Sequence, residues 1–159
     1  MWTGTIMPTF PSRRPTKPKL HGGLTAGRAE PASAKPRNTL TGRKVLVVED
    51  EAMIAGLIET TLGEAGCSIV GPFATLEQAF ETLERERLDA ALLDIRLNGR
   101  DVYAVADALN TRGIPFIFIS GFTQKQMPPG YRKCPYIAKP FTPDAILALL
   151  AKVVGERRS

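Results

Sequence analysis

From Lys44 onward, short continuous apolar runs alternate with longer stretches whose apolar residues recur every three or four positions. Lys44-Val-Leu-Val-Val48, Ser68-Ile-Val-Gly71, Ala90-Ala-Leu-Leu93, Phe116-Ile-Phe-Ile119 and Tyr136-Ile-Ala138 are the runs. Each is too short for a helix and reads as a strand; the continuous ones suit a strand covered on both faces. The intervening stretches carry one apolar stripe each. Glu51 to Ala65 presents Ile54, Ile58, Leu62 and Ala65, and Gly66 is placed to stop that helix. Thr75-Leu-Glu-Gln78 is a capping box opening a helix with Leu76, Ala79, Phe80 and Leu83 inward. Asn98-Gly99 makes a turn, and Asp101 caps a helix with Val102, Val105, Ala106 and Leu109 inward. Thr142 and Pro143 fit the N-cap and first position of a last helix, with Ile146, Leu147, Leu150 and Val154 inside.

The weakest stretch is Gly121 to Lys133. Thr123-Gln-Lys-Gln-Met127 allows one helical turn before Pro128-Pro129-Gly130 stops it, so the fourth helix is shortened and the segment is expected to be mobile. Strict alternation of five strands and about five helices predicts an α/β fold. It is a doubly wound, flavodoxin-like parallel sheet with right-handed crossovers and helices on both faces. The expected strand order is 2-1-3-4-5, with the switch point between the first and third strands.

Composition divides the chain. Residues 1–42 are expected to form a disordered, basic, Pro-rich N-terminal tail, residues 43–156 the folded domain, and 157–159 a short C-terminal tail. Up to residue 43 there are eight Lys or Arg and one acid, Glu30; the remainder holds thirteen basic and fifteen acidic residues. The high pI therefore belongs to the N-terminal stretch, and the folded part has no electrostatic case for binding nucleic acid. The tail is expected to be dispensable, so that a chain starting near Thr41 keeps its stability. No apolar run is long enough to span a bilayer. Cys67 and Cys134 make no metal motif, would lie near opposite edge strands, and read as reduced thiols of a cytoplasmic protein. The single histidine, His21, falls in the tail.

Candidate chemistry sits where the strands end. The third strand ends in Asp94, the first in Glu49-Asp50, the fourth in Ser120, and the fifth in Lys139-Pro140. Singly, Asp94 could begin a turn, Ser120 could cap a helix and Lys139 could be a surface lysine. If the strands are parallel, however, three carboxylates, a hydroxyl and an ammonium converge at the edge where such sheets bind ligands. Close carboxylates repel and push at least one pKa up. A divalent cation resolves this, and an incomplete oxygen shell suits Mg²⁺. The set fits phosphoryl transfer to Asp94, with Lys139 and Mg²⁺ offsetting charge on the transferring oxygens and Ser120 hydrogen-bonding to the group once attached.

These residues, taken in order, resemble the site of response-regulator receiver domains over about residues 43–155. The resemblance implies that Asp94 is the phosphoacceptor and that Asp50 and Asp94 bind Mg²⁺ directly. Glu49 would act mostly through water, and the Arg96 main-chain carbonyl would complete the protein ligands. It also implies a cis Lys139-Pro140 peptide. Ser120 would move toward the phosphoryl group, with Tyr136 turning inward as the switch; Phe122 adds a second ring. Phe118-Ile-Ser-Gly-Phe122 is similar to the Phe-Ala-Thr-Gly-Tyr-type stretch of alphaproteobacterial single-domain receivers. That similarity implies a partner histidine kinase of the HWE type or a phosphotransfer protein. The expected role is a stand-alone response regulator of a two-component phosphorelay. It would signal by protein–protein contact or act as a phosphate sink, with no DNA-binding output domain and no enzymatic activity beyond loss of its own phosphoryl group. The alternative is a phosphatase of the haloacid-dehalogenase type, which also forms an aspartyl phosphate. That class places Asp-x-Asp after its first strand, where this chain has Glu49-Asp50-Glu51.

Overall fold

The structure, a computed structural model, describes residues 39–157. Strands β1 (Lys44–Val48), β2 (Ser68–Phe73), β3 (Ala90–Asp94), β6 (Phe116–Ser120) and β7 (Tyr136–Ala138) form one sheet in the order β2-β1-β3-β6-β7, with every pair parallel. This is the doubly wound order read from the sequence. Two further strands, β4 (Arg96–Leu97) and β5 (Arg100–Asp101), pair as a small antiparallel hairpin. Asn98 and Gly99 turn it with positive φ at both positions, the geometry for which Asn-Gly is the favoured pair.

Period-two side-chain alternation divides the core into two. Leu46, Val48, Ala91, Leu93 and Phe118 pack against α2 (Leu76–Arg85) and α3 (Tyr103–Thr111). Val45, Val47, Leu92, Ile117 and Ile119 pack against α1 (Ala52–Glu64) and α4 (Pro143–Glu156). The caps of α2 and α4 follow expectation: Thr75 accepts the Gln78 N–H and Thr142 accepts the Ala145 N–H. Gly71, at φ 108°, lies where an added Cβ would come 2.6 Å from the Val47 carbonyl, so no other residue fits that edge of β2 unstrained.

Three expectations need correction, and the shortened β6–β7 connection can be drawn more finely. Asp101 does not cap α3: it pairs with Arg96 across the hairpin, and Val102 takes the N-cap position without a side-chain bond. Phe80 is 37% exposed rather than turned into the core. Between β6 and β7 no α-helix forms; two 3₁₀ turns, Gln124–Gln126 and Pro129–Tyr131, replace it. Met127 between them is 1% exposed, and the Tyr131 ring stacks on Tyr103 at 4.4 Å, so apolar anchors hold a segment whose sequence reads as loose. Finally, Leu40 is fully buried among the side chains of the α1/α4 face, and the Gly42 N–H donates to the Gly66 carbonyl. A chain starting at Thr41 would lack that core side chain, and packing begins before residue 43. The rest of the expected N-terminal tail, and residues 158 and 159, lie outside the described residues. Cys67 and Cys134 are free thiols. No helix among the described residues is long and apolar enough to cross a membrane.

Candidate functional site

The register of β1 against β3 builds the site. Val48 pairs with Leu93, so the next residues, Glu49 and Asp94, leave the two central strands side by side. Carboxylate oxygens of Glu49, Asp50 and Asp94 lie within 4.8 Å of one another. Glu49 and Asp94 are buried, at 3% and 6% exposure, and Asp50 is half-buried. The main chain partly satisfies each of them. The Glu51 N–H donates to Glu49 Oε1 at 3.0 Å, the Asn98 N–H to Asp50 Oδ2 at 2.9 Å, and the Arg96 N–H to Asp94 Oδ1 at 3.4 Å.

Lys139 arrives from the end of β7 through a cis Lys139-Pro140 peptide, as the resemblance implied. Its Nζ lies 3.0 Å from Glu49 Oε2, 3.2 Å from Asp94 Oδ2 and 3.2 Å from Glu51 Oε1. The contact with Glu49 Oε2 is an ion pair without hydrogen-bond alignment, which leaves that buried oxygen with no hydrogen-bond donor. Burial is the largest influence on Glu49 and pushes its carboxyl up to about 7, aided by the Asp94 charge and opposed by the Glu51 N–H and Lys139. Burial likewise raises Asp94, against the pull of Lys139. For Lys139, burial works to lower the pKa, but Glu49 and Asp94 outweigh it and hold the ammonium above its ordinary value.

Ser120, 2% exposed, ends the neighbouring strand, where Asp94 pairs with Ile119. Its hydroxyl accepts the Phe122 N–H at 3.0 Å. The Tyr136 hydroxyl donates to the Ser120 carbonyl at 3.2 Å and to the Phe122 carbonyl. Phe122 is 37% exposed, and the Arg96 guanidinium lies over its ring at 5.7 Å. The structure therefore brings Glu49, Asp50, Asp94 and Lys139 into one cluster, with Ser120 on the adjoining strand and Tyr136, Phe122 and Arg96 along its rim. Sequence reasoning missed two contributors. Glu51 shares the Lys139 ammonium, and its place directly after Glu49-Asp50 was the available signal. Asn98, read only as a turn residue, holds Asp50 through its N–H and fixes the hairpin through a 3.0 Å side-chain bond to the Ala74 carbonyl.

The donor set suits a hard divalent cation. All three side chains offer carboxylate oxygens, two are buried, and Glu49 Oε2 lacks a hydrogen-bond donor. Glu49, Asp50 and Asp94 would hold Mg²⁺.

The family model of the response regulator receiver domain matches residues 45–151. The transcriptional regulatory protein PdtaR of Mycobacterium tuberculosis is 28% identical over 120 residues, covering 73% of this chain and 58% of PdtaR. The crystal structure of the response regulator PhyR from Brucella abortus superposes with a TM-score of 0.68 at 30% identity, over 77% of this chain and 52% of that one. The receiver domain of the sensor histidine kinase PA1611 from Pseudomonas aeruginosa, solved with magnesium coordinated in its active-site cleft, gives a TM-score of 0.60 at 28% identity. That match covers 72% of this chain and 99% of that one. The chain spans about half the length of the curated relatives it matches.

Proposed function

Because this chain belongs to the response-regulator receiver family, we propose that Asp94 is the phosphoacceptor of a two-component phosphorelay. The donor would be a phosphohistidine on a partner histidine kinase, of the HWE type, or on a phosphotransfer protein. One observation carries the reading: Asp94, buried at the end of β3, shares the Lys139 ammonium with Glu49 inside a three-carboxylate cluster. An Asp94 carboxylate oxygen attacks the phosphorus, the P–N bond to the donor imidazole breaks, a P–O bond forms, and the freed imidazole nitrogen takes a proton from solvent. Lys139 offsets charge on the phosphoryl oxygens. Mg²⁺, held by Glu49, Asp50, Asp94 and the Arg96 carbonyl, would supply further neutralisation there. The partner's approach is favoured by an apolar patch beside the cluster. Met53 is 90% exposed and Leu57 40%, and Leu57 shares a hollow with Phe141 and Lys139.

Readout would run through Ser120. Its hydroxyl is now occupied by the Phe122 N–H, and turning toward a phosphoryl group on Asp94 breaks that bond. The Tyr136 hydroxyl bridges the Ser120 and Phe122 carbonyls, so both aromatic rings follow the shift. The output is contact with another protein, or none beyond phosphate storage. The phosphatase alternative has no comparable support, because the family match and the missing Asp-x-Asp both count against it. The test is incubation with acetyl phosphate. The reading predicts a label that requires Mg²⁺, survives acid and is released by base; an acid-labile or metal-independent label would reject it.

A further inference from the structure

At the pole opposite the acidic cluster, where β1 and β3 begin, Arg43, Arg87, Asp89 and Arg157 line a cleft of about 400 Å³. Its one carboxylate is already committed. Asp89 Oδ1 takes the Arg43 guanidinium at 3.3 Å and Oδ2 accepts the Lys44 N–H at 2.8 Å. Arg157 uses one N–H on the Leu88 carbonyl at 3.3 Å, and Arg87 has no side-chain partner among the described residues. Two guanidiniums with free donors therefore face a pocket with no unpaired acid. Arg157 also borders a second, larger hollow of about 510 Å³, walled by Ile114, Pro115, Phe116, Pro135 and Val153. Lys133 and Glu156, one of each charge, line that hollow too. Arg157 thus borders both an apolar hollow and a cationic one.

We propose that this double cleft binds a small amphipathic anion, an apolar body ending in a phosphate monoester or carboxylate. The apolar body would lie against Phe116 and Val153, and the anionic group would bridge Arg157 and Arg87. The sizes suit such a ligand: small-molecule sites run from roughly 300 to 1,000 Å³ and are mostly apolar with a few polar groups placed to orient the ligand. Planar guanidiniums bind oxyanions through paired N–H donors. A nucleotide fits less well, because the apolar chamber offers few groups to read the edge of a base. The cationic cleft lies beside the start of β3 and the apolar one beside the start of β6, both against the C-terminal part of α4, at the end of the sheet opposite Asp94 and Ser120.

The probe is phenyl phosphate, titrated into the full chain and followed by amide chemical shifts. Shifts should concentrate at residues 114–116, 133–135 and 153–157, away from Glu49 and Asp94. Arg87→Ala and Arg157→Ala, both exposed, should each weaken binding by about tenfold, the loss of one charge-assisted contact. Benzyl alcohol and inorganic phosphate should each bind more weakly than the compound that combines their features. Shifts confined to the acidic cluster, unchanged affinity in both arginine variants, or equal affinity for inorganic phosphate would each overturn the proposal. Tighter binding of an acidic peptide than of phenyl phosphate would also overturn it, in favour of a protein partner.

Discussion

The acidic edge and the β6–β7 connection adjoin one another and are held by opposite means. At the edge, two buried carboxylates and a nearly buried ammonium are confined where water cannot screen them. The connection has no α-helix; Met127 fills the core, Tyr131 stacks on Tyr103 and meets the edge of Phe118, and the Arg132 side chain donates to the Met127 and Lys125 carbonyls. The first arrangement is costly by itself and depends on pH and on a cation. The second rests on apolar contact and should ignore both.

Substitutions should expose that difference, the largest effect at the edge. Lys139→Met leaves Glu49 and Asp94 facing each other without a counter-charge, and removing one partner of a buried ion pair costs about 4 kcal/mol. Urea unfolding at pH 8 without divalent ions should show that loss, and repeating it at pH 5, where the Glu49 carboxyl is protonated, should show less. Met127→Ala should cost about 3 kcal/mol, a typical core truncation, and by the same amount at both pH values.

The pH profile of the unsubstituted protein is the next step down. Glu49 has its folded pKa raised from 4.5 to about 7, so its contribution is fully present below pH 4.5, where it is protonated in both states. That contribution is lost as pH rises through about 7, roughly 3 kcal/mol for a shift of this size. Melting of the metal-free protein should therefore fall across that window, Glu49→Gln should flatten the fall, and Mg²⁺ should restore stability above pH 7. A flat profile in the unsubstituted protein would contradict the burial described for Glu49. The smallest effect belongs to Tyr131→Phe, which removes the 2.7 Å hydrogen bond to the exposed Asp107 while keeping the ring stack, for about 0.5 kcal/mol.

The same contrast explains what the sequence could reveal. The strand-end cluster was legible because apolar runs end in acids, and in a parallel sheet strand ends converge whatever the loops do. Most inward residues followed from the two periodicities, Phe80 excepted, and the sheet order from the alternation of strands and helices. The connection was not legible, because its anchors are tertiary: nothing local marks Met127 as a core residue or Tyr131 as the partner of Tyr103. Asp101 misled for a related reason. Its place directly before the apolar stripe that begins at Val102 is that of an N-cap, but the Asn-Gly turn draws it into the hairpin opposite Arg96. Leu40 was missed because it follows a Pro-rich stretch, and only its neighbours in space show that it belongs to the core.

The central claim is that Asp94 is the residue the whole edge is built to charge and discharge. The most direct measurement is the intact mass of the protein after incubation with acetyl phosphate and Mg²⁺, beside Asp94→Asn treated identically. One phosphoryl adduct on the unsubstituted chain, and none on Asp94→Asn with its fold intact by circular dichroism, is the predicted result. An undiminished adduct on Asp94→Asn would contradict it and place the acceptor elsewhere.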